Sequence, residues 1–237
     1  LTQIFNIILI IMMYSKLSIQ LTKSTKAITK QVKKNEGIFF TPPSTIQSNL
    51  NNIEPYFDSI KTVLEPSCGS CEYITALHDK YPDLSITGIE HNETIYDSIK
   101  DLANNQINII HGDYLAVPNT TKYDLIIGNP PYFVMKKNDL DEQYYSYFEG
   151  RPNIFIPFII KSLNQLNDDG ILSFVLPKNF INCLYYDKTR KLINDTCKIL
   201  DIVECNDKYI ETGQSTIIVI LQKNKEGLTD IELDIIK

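Results

Sequence analysis

Seven apolar stretches of strand length, at 62–65, 85–90, 107–111, 123–128, 171–176, 199–204 and 215–222, punctuate the chain from about Lys61 onward. Polar or amphipathic stretches of helical length separate most of them, at 71–79, 94–104, 153–166 and 187–196. The helical spacing is best kept by Phe155, Phe158, Ile159, Ser162, Leu163 and Leu166, whose separations of three or four residues put them on one face. Strands alternating with helices predict a mostly parallel sheet covered on both faces, because each parallel crossover carries the chain back over the sheet. The last two strands are separated by a loop rather than a helix, which predicts an antiparallel pair at one edge. Asp168-Asp169-Gly170 is expected to stop the helix at 153–166 and to start the fifth strand. Ahead of the sheet, 44–50 reads as a short helix after Pro42-Pro43 and 17–34 as an amphipathic one. The expected fold class is therefore α/β, a seven-stranded mostly parallel sheet with an antiparallel edge hairpin and helices on both faces.

Composition adds scale and sign to this pattern. The chain has 237 residues, 43% hydrophobic and 22% charged, enough for one substantial core. Its net charge of -6 is unevenly spread: residues 1–35 hold no Asp or Glu but six lysines, Lys16, Lys23, Lys26, Lys30, Lys33 and Lys34. The 17 basic residues that remain face 29 acidic ones, so a basic arm precedes a body near -12. The organisation expected is a basic N-terminal extension over 1–35, a main domain over 36–224 and a short tail over 225–237. The apolar run at 7–13 is too short to span a bilayer and has no basic leader, so neither a signal peptide nor a membrane helix is expected. A chain opening on Leu1 suggests a fragment or a reading frame extended upstream, with Met12 and Met13 as candidate starts. Five cysteines, Cys68, Cys71, Cys183, Cys197 and Cys205, are odd in number and irregular in spacing. Free thiols in a reducing intracellular compartment, cytoplasmic or nuclear, are the expectation.

An open parallel sheet binds its ligand beyond the carboxyl ends of its strands, so the residues just after each strand matter most. The first strand end carries Glu65-Pro66-Ser67-Cys68-Gly69-Ser70-Cys71, a tight turn into a helix whose glycine permits close backbone approach to a ligand. The second carries Glu90-His91; a carboxylate there can accept both hydroxyls of a ribose, and equally can be a solvated charge. The third carries Asp113-Tyr114, a carboxylate for an adenine amine beside a ring that can stack on the purine. The fourth is the most specific: Asn129-Pro130-Pro131-Tyr132 places an amide, two rigid prolines and an aromatic ring at the end of a buried strand.

This set resembles the amino-methyltransferases that use S-adenosylmethionine, and among them the gamma-type DNA adenine methyltransferases. The resemblance covers roughly residues 36–224 and begins with Gly37-Ile38-Phe39-Phe40-Thr41-Pro42-Pro43. It implies a Rossmann-like class I methyltransferase fold, with S-adenosylmethionine as cofactor and DNA as partner. By the resemblance Thr41 binds the cofactor's amino-acid end, Glu65, Ser67, Cys68 and Gly69 line its methionine moiety, Glu90 with the adjoining His91 takes the ribose, and Asp113 with Tyr114 takes the adenine ring. Cys71 departs from the family's more usual glycine, which puts the loop geometry there in question.

Asn-Pro-Pro-Tyr suits the methylation of a planar amine. The lone pair of such an amine is delocalised into its ring and its proton is weakly acidic. If the Asn129 side-chain oxygen and the Pro130 carbonyl accept its two N–H bonds, the lone pair turns toward the sulfonium methyl. A base inside a duplex must flip out to reach the site and be stacked, with Tyr132 on one side. The family carries an aromatic residue six positions before a serine that opens the final strand, and Tyr209 before Ser215 fits that place. The motif alone also serves cytosine in DNA, adenine in structured RNA and a release-factor glutamine; Phe39 to Leu50 and Tyr209 favour the DNA enzymes. A catalytically idle partner subunit is the non-enzyme alternative, against which the intact Asn129 and Tyr132 speak.

Other signals carry less. Cys68-Gly69-Ser70-Cys71 mimics a redox pair, but Glu65-Pro66 and Glu90 have no part in thiol exchange. His78, His91 and His111 show no metal-ligand spacing with the cysteines, and no metal is expected. Residues 136–148, rich in Tyr and charge, read either as a lid on the target strand or as a loop packing its rings on the domain. The lysine-bearing stretch from Leu17 reads either as a phosphate contact or as a solvated face. The gamma-type enzymes usually carry a sizeable C-terminal target-recognition domain, whereas residues 225–237 alone follow the final strand here. The corresponding expectation is either a fragment or recognition by loops, a second copy or a separate specificity subunit.

Overall fold

Valine, isoleucine and leucine dominate the seven apolar stretches, and each forms a strand: β1 (Thr62–Glu65), β2 (Ser85–Glu90), β3 (Ile107–His111), β4 (Tyr123–Gly128), β5 (Leu166–Pro177), β6 (Lys198–Glu204) and β7 (Thr216–Gln222). They are seen in a computed structural model that describes residues 41–205, 215–223 and 233. Among the described residues five α-helices accompany them: α1 (Pro43–Ile53), α2 (Glu72–Lys80), α3 (Glu93–Ile99), α4 (Phe155–Gln165) and α5 (Asp187–Thr196).

The strands form one sheet in the order β3-β2-β1-β4-β5-β7-β6. Pairings from β3 through β5 are parallel, and β7 runs antiparallel to both β5 and β6. The expected edge hairpin is present, but β7 is threaded between β5 and β6, so β6 is the edge strand. The chain order reverses at β1, which lies between β2 and β4. A sheet of this kind opens a crevice there, beyond the carboxyl ends of its strands.

Alternation along each strand supplies two cores, one per face. Leu64, Ile126, Leu172, Phe174, Ile217 and Val219 pack with Phe155, Ile159, Leu163 and Ile193 of α4 and α5. Val63, Leu125, Ile127, Val175, Ile218 and Ile220 pack on the other side with Ile46, Leu50, Tyr73, Ile74 and Leu77 of α1 and α2. A buried polar link ties α1 into that second layer. Asn49 Nδ2 donates to the Tyr73 hydroxyl at 3.0 Å, and the Ser173 hydroxyl of β5 donates to Asn49 Oδ1 at 2.5 Å.

Several boundaries differ from expectation, each for a local reason. The helix predicted to run to 166 stops at Gln165, because Leu166 pairs with Tyr123 and opens β5 five residues early. Asp169 then takes a left-handed φ of 62° and its amide donates to the Lys223 carbonyl at 2.9 Å, so the expected turn is a kink inside β5. The helix predicted over 94–104 becomes α3 followed by a 3₁₀ turn at Lys100–Leu102. The helix predicted over 44–50 is longer, with Pro43 at its first turn, where a missing N–H costs nothing. The stretch at 17–34 and Tyr209 lie outside the described residues.

Candidate active site

The loop after β1 is held in place by its neighbours' backbones. Cys68 N–H donates to the Ile89 carbonyl at 2.9 Å, and Cys71 N–H to the Cys68 carbonyl at 2.7 Å. Gly69 and Cys71 both take left-handed φ, 50° and 59°. Cys71 thus adopts the conformation that a glycine would take without strain, so the loop shape survives the substitution at a cost of about 1–2 kcal/mol. Both thiols are buried and free, and burial together with the neighbouring Cys71 thiol pushes the Cys68 thiol up.

Glu90, at the end of β2, organises this loop. One carboxylate oxygen accepts from Gly69 N–H at 2.9 Å and the other from Asn92 N–H at 2.7 Å. Burial raises its pKa above the usual carboxylate range, and the two amide donors oppose that rise. The carboxylate still faces the cavity, where it keeps acceptor capacity for a hydroxyl. His91 lines the same cavity, and its carbonyl meets His111 Nε2 at 3.2 Å.

That cavity, about 370 Å³, lies along the carboxyl ends of β1 to β4. Ser67, Gly69, Glu90, His91, Asp113, Tyr114, Asn129 and Pro131 all line it. A smaller chamber of about 30 Å³ continues it, sharing Ser67, Gly69 and Asn129 and adding Thr41, Glu65, Cys68 and Glu72. The fold thus brings Thr41 to the β1 loop. Glu65 Oε2 and Glu72 Oε1 are buried there without a hydrogen-bond partner.

Tyr114 is built into the wall rather than offered as a free ring. It is 1% exposed, its hydroxyl lies 2.8 Å from Gln165 Oε1 and 3.1 Å from Ser162 Oγ, and its ring tilts against Phe158 at 4.9 Å. Lys161 reinforces that wall, its ammonium bonding the carbonyls of Leu115 and Val117 and lying 4.9 Å from the Tyr114 ring centroid. The apolar flanks include Ile95, Leu115 and Phe158, none of which the sequence marks as a site residue. Phe158 was legible as a member of the α4 stripe, but nothing in its spacing told the cavity side of that stripe from the core side.

Asn129 follows Gly128, whose φ of 152° and close approach to Glu65 exclude a side chain: a Cβ there would lie 3.3 Å from Glu65 Cγ. The Ser67 hydroxyl donates to the Asn129 carbonyl at 3.2 Å, coupling the first strand end to the fourth. The Tyr132 hydroxyl shares its proton between Asn129 Oδ1 and the Val175 carbonyl, 2.5 Å away, and its ring stands edge-on to Phe155. Tyr132 itself borders the cavity's neighbour residues rather than its lining. Residues 136–148 pack their rings on the domain: Leu140, Tyr144 and Phe148 are buried, and Asp139, Asp141 and Gln143 reach the cavity.

A family described as Eco57I restriction-modification methylase matches residues 10–210. The chain belongs to this family. Among the relatives of this methylase family, Modification methylase CviBIII of Paramecium bursaria Chlorella virus NC1A is 34% identical over 87% of the chain and 54% of its own length. The chain spans about half the length of the curated relatives it matches. Among solved structures, a class I S-adenosylmethionine-dependent methyltransferase from Listeria monocytogenes superposes with a TM-score of 0.72 at 19% identity, covering 89% of this chain and 68% of that one. A DrdV–DNA complex gives a TM-score of 0.65 at 19% identity over 84% of this chain and 28% of that one. The fold is that of the class I methyltransferases that depend on S-adenosylmethionine. The site suits that molecule: unpaired buried acceptors stand where a cationic amino-acid end would sit, and a long cavity leads from them past Glu90. Among the described residues no cluster could hold a metal ion, and no helix is long and apolar enough to cross a membrane.

Proposed function

We propose that the chain transfers a methyl group from S-adenosylmethionine to the exocyclic amine of adenine in DNA, holding a flipped base at Asn129-Pro130-Pro131-Tyr132. The observation that carries this reading is the coupling of that motif to the cofactor cavity. Asn129 borders both chambers, and its backbone is tied by Ser67 to the loop that ends β1.

Bound S-adenosylmethionine supplies an electrophilic methyl on a sulfonium. The chain's own groups supply position. Thr41, Glu65 and the β1 loop hold the amino-acid end, Glu90 accepts ribose hydroxyls, and Asp113 stands by the purine between the walls formed by Tyr114, Leu115 and Phe158. The Tyr132 hydroxyl fixes the Asn129 amide so that one lone pair of Oδ1 remains for a substrate N–H, and the Pro130 carbonyl takes the second. Both acceptors favour the amine as it gains positive charge, so they bind the transition state more tightly than the ground state. Tyr132 offers one face for the flipped ring, and Tyr209 is the proposed second face. The description of the family as restriction-modification methylases supports DNA as the substrate, and Thr41 ahead of the sheet supports adenine among the planar amines.

The test is incubation with tritiated S-adenosylmethionine and adenine-rich duplex DNA, followed by nucleoside analysis. Label in N6-methyladenosine is expected; label in cytosine or in protein instead would sink the adenine assignment. Asn129→Ala should lower transfer by at least about a hundredfold while calorimetry still shows cofactor binding, and retained turnover would remove Asn129 from the mechanism.

A further inference from the structure

Glu72 opens α2 just beyond the β1 loop and is only 5% exposed, beside Glu65 at 4%. A carboxylate at the first position of a helix is favoured by the free backbone amides, and the N-cap residue Cys71 makes no side-chain cap bond there. Glu72 Oε1 and Glu65 Oε2 are both buried without a partner, and both residues line the small chamber that joins the cavity at Ser67, Gly69 and Asn129. Buried charge without a counter-ion costs several kcal/mol. Two such carboxyls in a chamber of this size therefore call for a cation or for a proton.

We propose that Glu72 completes, with Glu65, a two-carboxyl cradle for the ammonium group of the cofactor's amino-acid end, and that the incoming ammonium displaces a proton held by the pair. This rests on the methyltransferase reading above. Before binding, one proton neutralises one carboxyl of the pair. On binding, the ammonium donates N–H bonds to the freed carboxylate oxygens and that proton leaves to buffer. No bond other than O–H breaks.

The charged and titratable surroundings agree. Cys71, Glu72 and Glu90 face Glu65 and each disfavours its ionised form, which the Ile74 backbone N–H favours; on Glu72 the Ser70 hydroxyl favours ionisation. Burial is the largest effect on both, and it pushes Glu72 up to about 8. The ion pairs seen among the described residues involve neither carboxyl. Because the competent form is the deprotonated one, affinity should rise with pH from about pH 6 to about pH 7.5.

Calorimetry on the whole chain tests this with two ligands: S-adenosylhomocysteine, which carries the ammonium, and 5′-methylthioadenosine, which lacks the amino-acid end. Titrations in buffers of different ionisation enthalpy report protons released. S-adenosylhomocysteine should release a fraction of a proton near neutral pH and methylthioadenosine none. Glu72→Gln should bind S-adenosylhomocysteine roughly tenfold or more weakly, lose most of the proton release, and bind methylthioadenosine as the wild type does. Unchanged S-adenosylhomocysteine affinity or unchanged proton release in Glu72→Gln overturns the cradle. Equal weakening of both ligands also overturns it, since that assigns Glu72 to loop structure. If the wild type binds neither ligand, the methyltransferase reading falls and the cradle falls with it; binding of both with no proton release overturns the cradle alone.

Discussion

Tyr132 shows how one side chain can serve position and contact separately. Its hydroxyl is spent on Asn129 Oδ1 and the Val175 carbonyl, while its ring is half-buried against Phe155. Tyr132→Phe keeps the ring and frees the Asn129 amide to rotate. Turnover should fall by roughly tenfold, the weight of one hydrogen bond to a catalytic group, with cofactor affinity unchanged; wild-type turnover in a single-turnover assay would deny the hydroxyl any positioning role. Asn129 and Tyr132 were legible as candidates because no structural turn requires that order of amide, prolines and ring. The hydroxyl's partners were not, since Val175 lies 43 residues away and meets Tyr132 only through the pairing of β4 with β5.

At the scale of elements, the packing of α2 on β2 holds the cofactor loop in shape. A Cβ on Gly88 would lie 2.5 Å from Ile74 Cδ1 and 3.0 Å from Cys68 Sγ. Gly88→Ala should cost about 1–3 kcal/mol by overpacking and weaken S-adenosylhomocysteine binding, because the displaced Cys68 belongs to the loop that faces the ligand. Equal urea midpoints for variant and wild type would show that Ile74 gives way freely. Glu72 makes a second prediction at this scale. A carboxyl whose folded value is raised contributes its stability below the unfolded value, near 4.5, and that contribution is lost as pH rises toward about 8. Ligand-free wild type should therefore lose stability relative to Glu72→Gln between about pH 5 and pH 8, by up to a few kcal/mol. Urea unfolding at several pH values checks it, and parallel curves would mean that folding does not shift the Glu72 pKa. The short apolar runs bounded by turn residues were read to the residue, as in β1, β2, β3 and β4. β5 was not, because Leu166 satisfies helical spacing and strand pairing equally well until Tyr123 is placed beside it.

Across the whole molecule, the stretch between the fifth strand and α5 is anchored by Arg190, which is fully buried in α5. Its guanidinium donates to the Phe180 carbonyl at 2.6 Å and the Cys183 carbonyl at 2.9 Å and pairs with Asp187. It thereby holds the connection from β5 to α5. Arg190→Met leaves those acceptors unpaired and should cost about 3–5 kcal/mol, lowering the melting temperature while sparing cofactor affinity in the folded fraction. A melting temperature within a degree or two of wild type, measured by calorimetry, would mean that water replaces the guanidinium. The sequence alone determined where the seven strands fall, apart from the early start of β5, that most of them run parallel, and which strand-end residues are candidates for chemistry, because side-chain period and turn composition are local properties. Tertiary structure alone decided that β7 lies between β5 and β6, that Tyr114 is wall rather than open ring, and that Glu72 joins Thr41 and Glu65 in one chamber. Those facts depend on which distant segments share a buried volume, and no local pattern of residues encodes that.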